Sequence, residues 1–339
     1  MRLLASFGAV FALSAAALAQ HLVVTTTPDL ARLASAVGGP AVTVMSLARG
    51  PEDPHFLTAR PSLLAGLRRA EVLVETGREL EIGWLPLLVD NARNARILPG
   101  QPGRIDASTA VRALGVPAVG TDRSAGDVHA GGNPHFLLDP LCGLQVATLL
   151  RDRFTAAWPA EAATFAAGHQ ALRRALAVAL VGEPTAARYE YDAEQLLLAC
   201  GRGTLAGVVR DHGDALGGFA ARLEPLRGRA VVADHDLWLY FAERFGFATP
   251  VLLEPRPGVP PSTAHLQQVV AMARERSLAA ILVAPYFPPQ HAELVAKATG
   301  LRIAAMLHQP GGRGGDEDYV GFLEHNVKAL AAALQPPAK

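Results

Sequence analysis

The residues best suited to chemistry in this 339-residue chain are histidines. Eleven are present, and four share a context: each opens a loop directly after a strand-like segment. His55 lies in Pro51-Glu52-Asp53-Pro54-His55-Phe56, and His135 in Gly132-Asn133-Pro134-His135-Phe136. His235 follows the run Val231-Val232-Ala233, and His308 follows Ile303 to Leu307. A lone loop histidine is more often a surface residue than a ligand. Side chains at strand ends that face one crevice nevertheless converge however far apart they lie in sequence. Three or four neutral imidazoles in a tetrahedral set suit Zn2+, whereas manganese prefers more carboxylate oxygen. Proline before His55 and His135 stiffens the backbone that aims each ring. Asp53, Asp139, Asp234 and Asp236 are candidate acceptors for ring N–H groups.

The other histidines fit blander roles. His169, His265, His291 and His325 fall in helical patterns, His212 in a Gly-flanked turn, and His21 at the expected start of the exported chain. His129, in the Gly-rich stretch six residues before His135, is a candidate auxiliary ligand. Cys142 and Cys200 are the two cysteines, so metal chemistry falls to His and carboxylates; spacing alone does not say whether the thiols pair.

Positioning such residues requires strands with a shared polarity, and the chain supplies them. Short apolar runs alternate with longer helical patterns, the signature of βα units in parallel sheets. Expected strands are 22–27, 42–45, 72–74, 230–233, 280–283 and 303–306. Expected helices begin at Pro28 and Pro61 and cover 160–181, 237–245, 263–275, 290–299 and 319–334, with a helical stretch over 193–226 interrupted at Gly201, Gly203, Gly213 and Gly217-Gly218. Gly168 is the weak point of the Ala-rich stretch 160–181. The fold class is therefore α/β, and a chain this long exceeds one core, so two lobes are expected.

Composition narrows the function. Lys plus Arg equals Asp plus Glu at 31 each, which draws neither nucleic acid nor an anionic membrane. Arg2, the apolar stretch Leu3 to Leu13 and Ala17-Leu18-Ala19 read as a cleavable signal peptide over residues 1–19. No later stretch approaches the ~20 apolar residues of a membrane helix, so a soluble periplasmic protein is expected.

Several motifs then point to a family. Pro51 to Phe56 with Pro61-Ser62 behind it, Gly132 to Pro140, Asp234 to Phe241 and Glu254 to Ser262 resemble, in order, the cluster A-I substrate-binding proteins of zinc and manganese ABC importers. The resemblance implies two lobes with parallel sheets flanked by helices, joined by a long rigid helix, with metal held between them. The lobes are then expected at 20–155 and 184–339 with the linking helix at 156–183, and a helical insertion near 184–226 departs from the simplest family pattern. The resemblance places His55, His135 and His235 on the family's three His ligands. The fourth ligand is usually an Asp in an Asp-Pro pair; here Leu307-His308-Gln309-Pro310 makes His308 the nearest counterpart, with Glu52 or water as alternatives. It further implies a monomer that carries Zn2+ as cargo to a membrane permease, without catalysis, with manganese as the alternative ion.

Two other classes compete. A zinc hydrolase also uses three histidines and an open position, but no His-Glu-x-x-His pair is present and Glu52 is the lone candidate base. A binder of haem or a larger metal complex needs an aromatic-lined cleft. Trp84, Trp158 and Trp238 are the only tryptophans, and two of them read more readily as helix packing.

Overall fold

Parallel strands organise both halves of the chain, in a computed structural model that describes residues 20–58, 60–118, 129–255 and 259–335. In the first half β1 (His21–Thr25), β2 (Val42–Ser46), β3 (Val72–Glu75) and β4 (Arg104–Asp106) form a sheet in the order β2-β1-β3-β4. In the second, β5 (Ala230–Ala233), β6 (Ala248–Leu252), β7 (Ile281–Val283) and β8 (Ile303–Ala305) repeat that order as β6-β5-β7-β8. All pairings are parallel, so within each sheet every strand ends on the same side. The expected signal peptide lies outside the described residues.

Helices cover the sheets. The first half carries α1 (Pro28–Gly38), α2 (Pro61–Arg69), α3 (Leu85–Ala92) and α4 (Pro140–Ala157). Proline stands in the first turn of all four, where its missing N–H costs nothing. α5 (Ala162–Val181) is a 20-residue helix about 30 Å long that packs against both α1 and α4. α6 (Glu183–Arg188), α7 (Ala193–Gly201), α8 (Leu205–Asp211) and α9 (Gly218–Leu223) follow. The second half adds α10 (Leu239–Phe245), α11 (Thr263–Glu275), α12 (Pro289–Thr299) and α13 (Tyr319–Leu334).

The helical stretch 193–226 is interrupted at its glycines, as expected: Gly203, Gly213 and Gly218 adopt φ of 74°, 77° and 57°, left-handed values found where α7, α8 and α9 are separated. Strands β4 and β6 and helices α3 and α4 were not anticipated. β6 contains Pro250, which sequence reasoning demotes, yet β6 is an edge strand where a missing donor is tolerated.

One continuous apolar core joins the halves. It runs from Val23 and Val74 through Phe136, Leu150, Phe165 and Leu176 to Phe241, Phe322 and Leu330. Each sheet's outer face has its own cluster, around Leu67 and Leu88 in the first half and Val269 and Val295 in the second. Across the join the buried Arg244 guanidinium donates to both carboxylate oxygens of Asp139 at 2.8 Å, while Tyr319 donates to the Leu137 carbonyl at 2.8 Å.

Candidate metal centre

Three of the expected histidines meet between the two sheets. His55 sits in the loop after β2, His135 before α4 and His235 just after β5. Ring centroids are 5.1 Å apart for His55 and His135, 6.3 Å for His55 and His235, and 6.2 Å for His135 and His235. Around a tetrahedral zinc with Zn–N bonds of about 2.0–2.1 Å, imidazole centroids lie roughly 5 Å apart. The first pair already has that spacing, and the His235 ring stands about an ångström wide of it. Among the described residues no group of three or more His, Cys, Asp or Glu is close enough, as the side chains stand, to hold a metal ion.

Hydrogen bonds fix which nitrogen carries the proton in the rings of His55, His235 and His308. A carboxylate only accepts, so His55 Nδ1 donates to Asp53 Oδ1 at 2.7 Å and the lone pair lies on Nε2. His235 Nδ1 donates in the same way to Glu254 Oε2 at 2.7 Å. Asp53 also accepts from the His55 amide at 2.9 Å, which ties ring and backbone to one oxygen. Burial alone would raise the Asp53 carboxyl, but the His55 hydrogen bond and charge outweigh it and hold the group below the usual carboxylate range. Burial lowers His235, yet Glu254, with Asp234 and Asp236, raises it overall. His135 faces no such carboxylate: burial, then the neighbouring His55, His235, His129 and His308, hold it well below an ordinary imidazole.

His308 follows β8, in the second half of the chain. Its Nε2 donates to the Glu52 carbonyl at 3.1 Å, which leaves the lone pair on Nδ1. That atom is buried and, among the described residues, has no hydrogen-bond partner. A cavity of about 20 Å³ is lined by both His135 and His308, with Asp29 and Thr76 behind them. The His308 ring packs edge-on to Tyr286 at 4.6 Å, and burial pushes its pKa down to about 4. Glu52, the alternative fourth donor, is engaged by Arg49 and Arg60 at 2.9 and 3.2 Å. His129 lies 5.4 Å from His55, ring to ring.

Three of the expected acceptors do other work. Asp139 caps α4 and binds Arg244, and Asp236 accepts from Asn133 at 3.2 Å. Asp234 receives the Trp238 indole and the backbone amides of His235 and Ala284. Sequence reasoning missed Glu254 as the partner of His235. Its signal was the run Pro250 to Leu253: a strand there, paired with β5, brings the next residue beside His235. Five other histidines bind elsewhere: His21 to Glu71, His169 to Thr148, His212 to Tyr189, His265 to the Leu252 carbonyl and His325 to the Ala305 carbonyl. Both cysteines are buried free thiols.

Comparison with known proteins supplies relatives for this arrangement. The sequence model of a family described as zinc-uptake complex component A, periplasmic, matches residues 23–179 and 216–333. The high-affinity zinc uptake system protein ZnuA of Yersinia pestis is 24% identical over 330 residues, spanning 94% of this chain and 92% of its own length. A crystal structure of ZnuA superposes with a TM-score of 0.67 at 19% identity, covering 94% of this chain and all of the other. The laminin binding protein of Streptococcus agalactiae, described as having adhesin and metal-transporting activity, gives 0.65 at 18% identity over 93% of this chain and all of its own.

Proposed function

The chain belongs to the family of periplasmic zinc-uptake components, and from that premise we propose that it captures one Zn2+ between its lobes and delivers it to the membrane permease of an ABC importer. The ligands in this reading are His55, His135, His235 and His308. One observation carries it. In three of these rings one nitrogen already donates to a fixed acceptor, Asp53, Glu254 or the Glu52 carbonyl, so the other presents a lone pair. Such preset tautomers suit a metal ion where the rings converge, as those of His55 and His235 do with His135.

The protein acts as a carrier, so zinc is cargo and no reaction is assigned to it. It works as a monomer, with lobes 20–155 and 184–339 joined through the helix in 156–183. Zinc is favoured over manganese because the donors are imidazoles and the nearest carboxylates are spent as hydrogen-bond acceptors.

The test is a competitive zinc titration against a chromogenic chelator. Wild type is expected to bind one equivalent, His55→Ala to bind none, and His308→Ala to bind more weakly. A wild-type protein that retains no zinc sinks the proposal. Loss in His55→Ala with no change in His308→Ala reduces the site to three histidines.

A further inference from the structure

The loop that carries His55 is held against the opposite lobe by a side chain with no place in the ligand set. Gln309, next to His308, is 1% exposed. Its Nε2 lies 2.9 Å from the Arg49 carbonyl, 3.0 Å from that of Gly50 and 3.0 Å from that of Glu52. Arg49 to Glu52 form the turn that leads into Asp53 and His55. The same turn receives the His308 Nε2–H at the Glu52 carbonyl. Gly50 lies flat on the Gly311 backbone, so close that a Cβ at position 50 would overlap the Gly311 carbonyl carbon.

We propose that Gln309 is a positioning residue, a latch between lobes that sets the distance from His55 to the ligands of the second lobe and thereby governs how slowly zinc leaves. This rests on the zinc-carrier reading. The physical case is one of connectivity. Elsewhere the lobes are joined by a continuous packed core and by the buried Arg244–Asp139 pair, which resist rotation of one lobe against the other. The turn at 49–52 is a surface loop, and its hold on the second lobe is a few hydrogen bonds from Gln309 and His308 plus the glycine contact. Opening that seam moves His55 and Asp53 together, because Asp53 binds both the amide and the ring of His55. Release therefore proceeds by loss of one ligand-bearing loop, with the core intact.

Gln309→Met tests the latch, since Met keeps length and bulk while removing the donor; Gly50→Ala opens the same seam from the other side. Both variants are expected to raise the zinc dissociation rate, Gln309→Met about tenfold, the loss of one buried hydrogen bond, with its association rate and thermal midpoint near wild type. Amide hydrogen exchange of residues 49–53 in the zinc-free protein is expected to quicken in both. Dissociation and exchange unchanged in Gln309→Met overturn the latch, and so does an equal fall in association rate and thermal midpoint, which marks a general structural role. Hydrogen exchange decides the matter without zinc. A wild type that binds no metal therefore removes the carrier reading while the seam itself is still tested.

Discussion

His55 and His235 are each tied at Nδ1 to a single carboxylate, and within the site this distinguishes them from His308, which is tied to a backbone carbonyl. The carboxylate sets the tautomer, orients the ring and raises the basicity of the opposite nitrogen. Glu254 should therefore matter to zinc affinity almost as much as a ligand does, although it touches no metal. Glu254→Ala is expected to weaken binding about 10- to 100-fold with stoichiometry unchanged, read by chelator competition. An affinity equal to wild type would show that His235 is oriented by packing alone, chiefly by Phe287 stacked at 5.9 Å.

At the scale of elements, α5 offers a case where local propensity and packing oppose each other. Gly168 weakens the helix as judged from sequence, and replacing it with Ala in an isolated helix gains about 1 kcal/mol. In the fold, however, a Cβ at Gly168 would overlap the carbonyls of Ala36 and Val37 at the end of α1. Gly168 is the point at which two helix backbones cross closely, and the neighbours are main chain that cannot swing aside. Gly168→Ala is expected to destabilise by about 1–3 kcal/mol in urea unfolding, the usual penalty of overpacking. A stabilised variant would mean that α1 shifts freely.

Across the whole molecule the two lobes behave as one packed body. The Arg244–Asp139 pair is central: the guanidinium spans the join, donating also to the Leu197 carbonyl of α7 at 2.7 Å, while Asp139 caps α4. Removing one partner strands a buried charge. Arg244→Ala is expected to cost about 3–5 kcal/mol by urea denaturation, while the double variant Arg244→Met with Asp139→Leu recovers most of it. Equal losses in the two would place the energy in α7 packing and not in the pair. The segment 180–215, which holds α6, α7 and α8, lies outside the stretch matched by the family. Its α7 braces α4, α5 and α10 together, so it is part of the join between the lobes.

Alternating apolar runs were enough to read a two-sheet α/β fold from sequence, since burying a strand on both faces demands such runs and their spacing demands crossover helices. His55 and His135 stood out in the sequence through the proline before each, and His235 and His308 through the strands they follow, β5 and β8. Edge strand β6, broken by Pro250, was not legible, and Glu254 was lost with it. Pairing distances between far-apart residues are set by sheet register and helix packing, and no local pattern encodes them. Only the tertiary structure brought Glu254 to His235, the Glu52 carbonyl to His308 and Gln309 to the turn at 49–52. It likewise decided that Asp139 serves Arg244 and no histidine, because a buried guanidinium claims the nearest carboxylate.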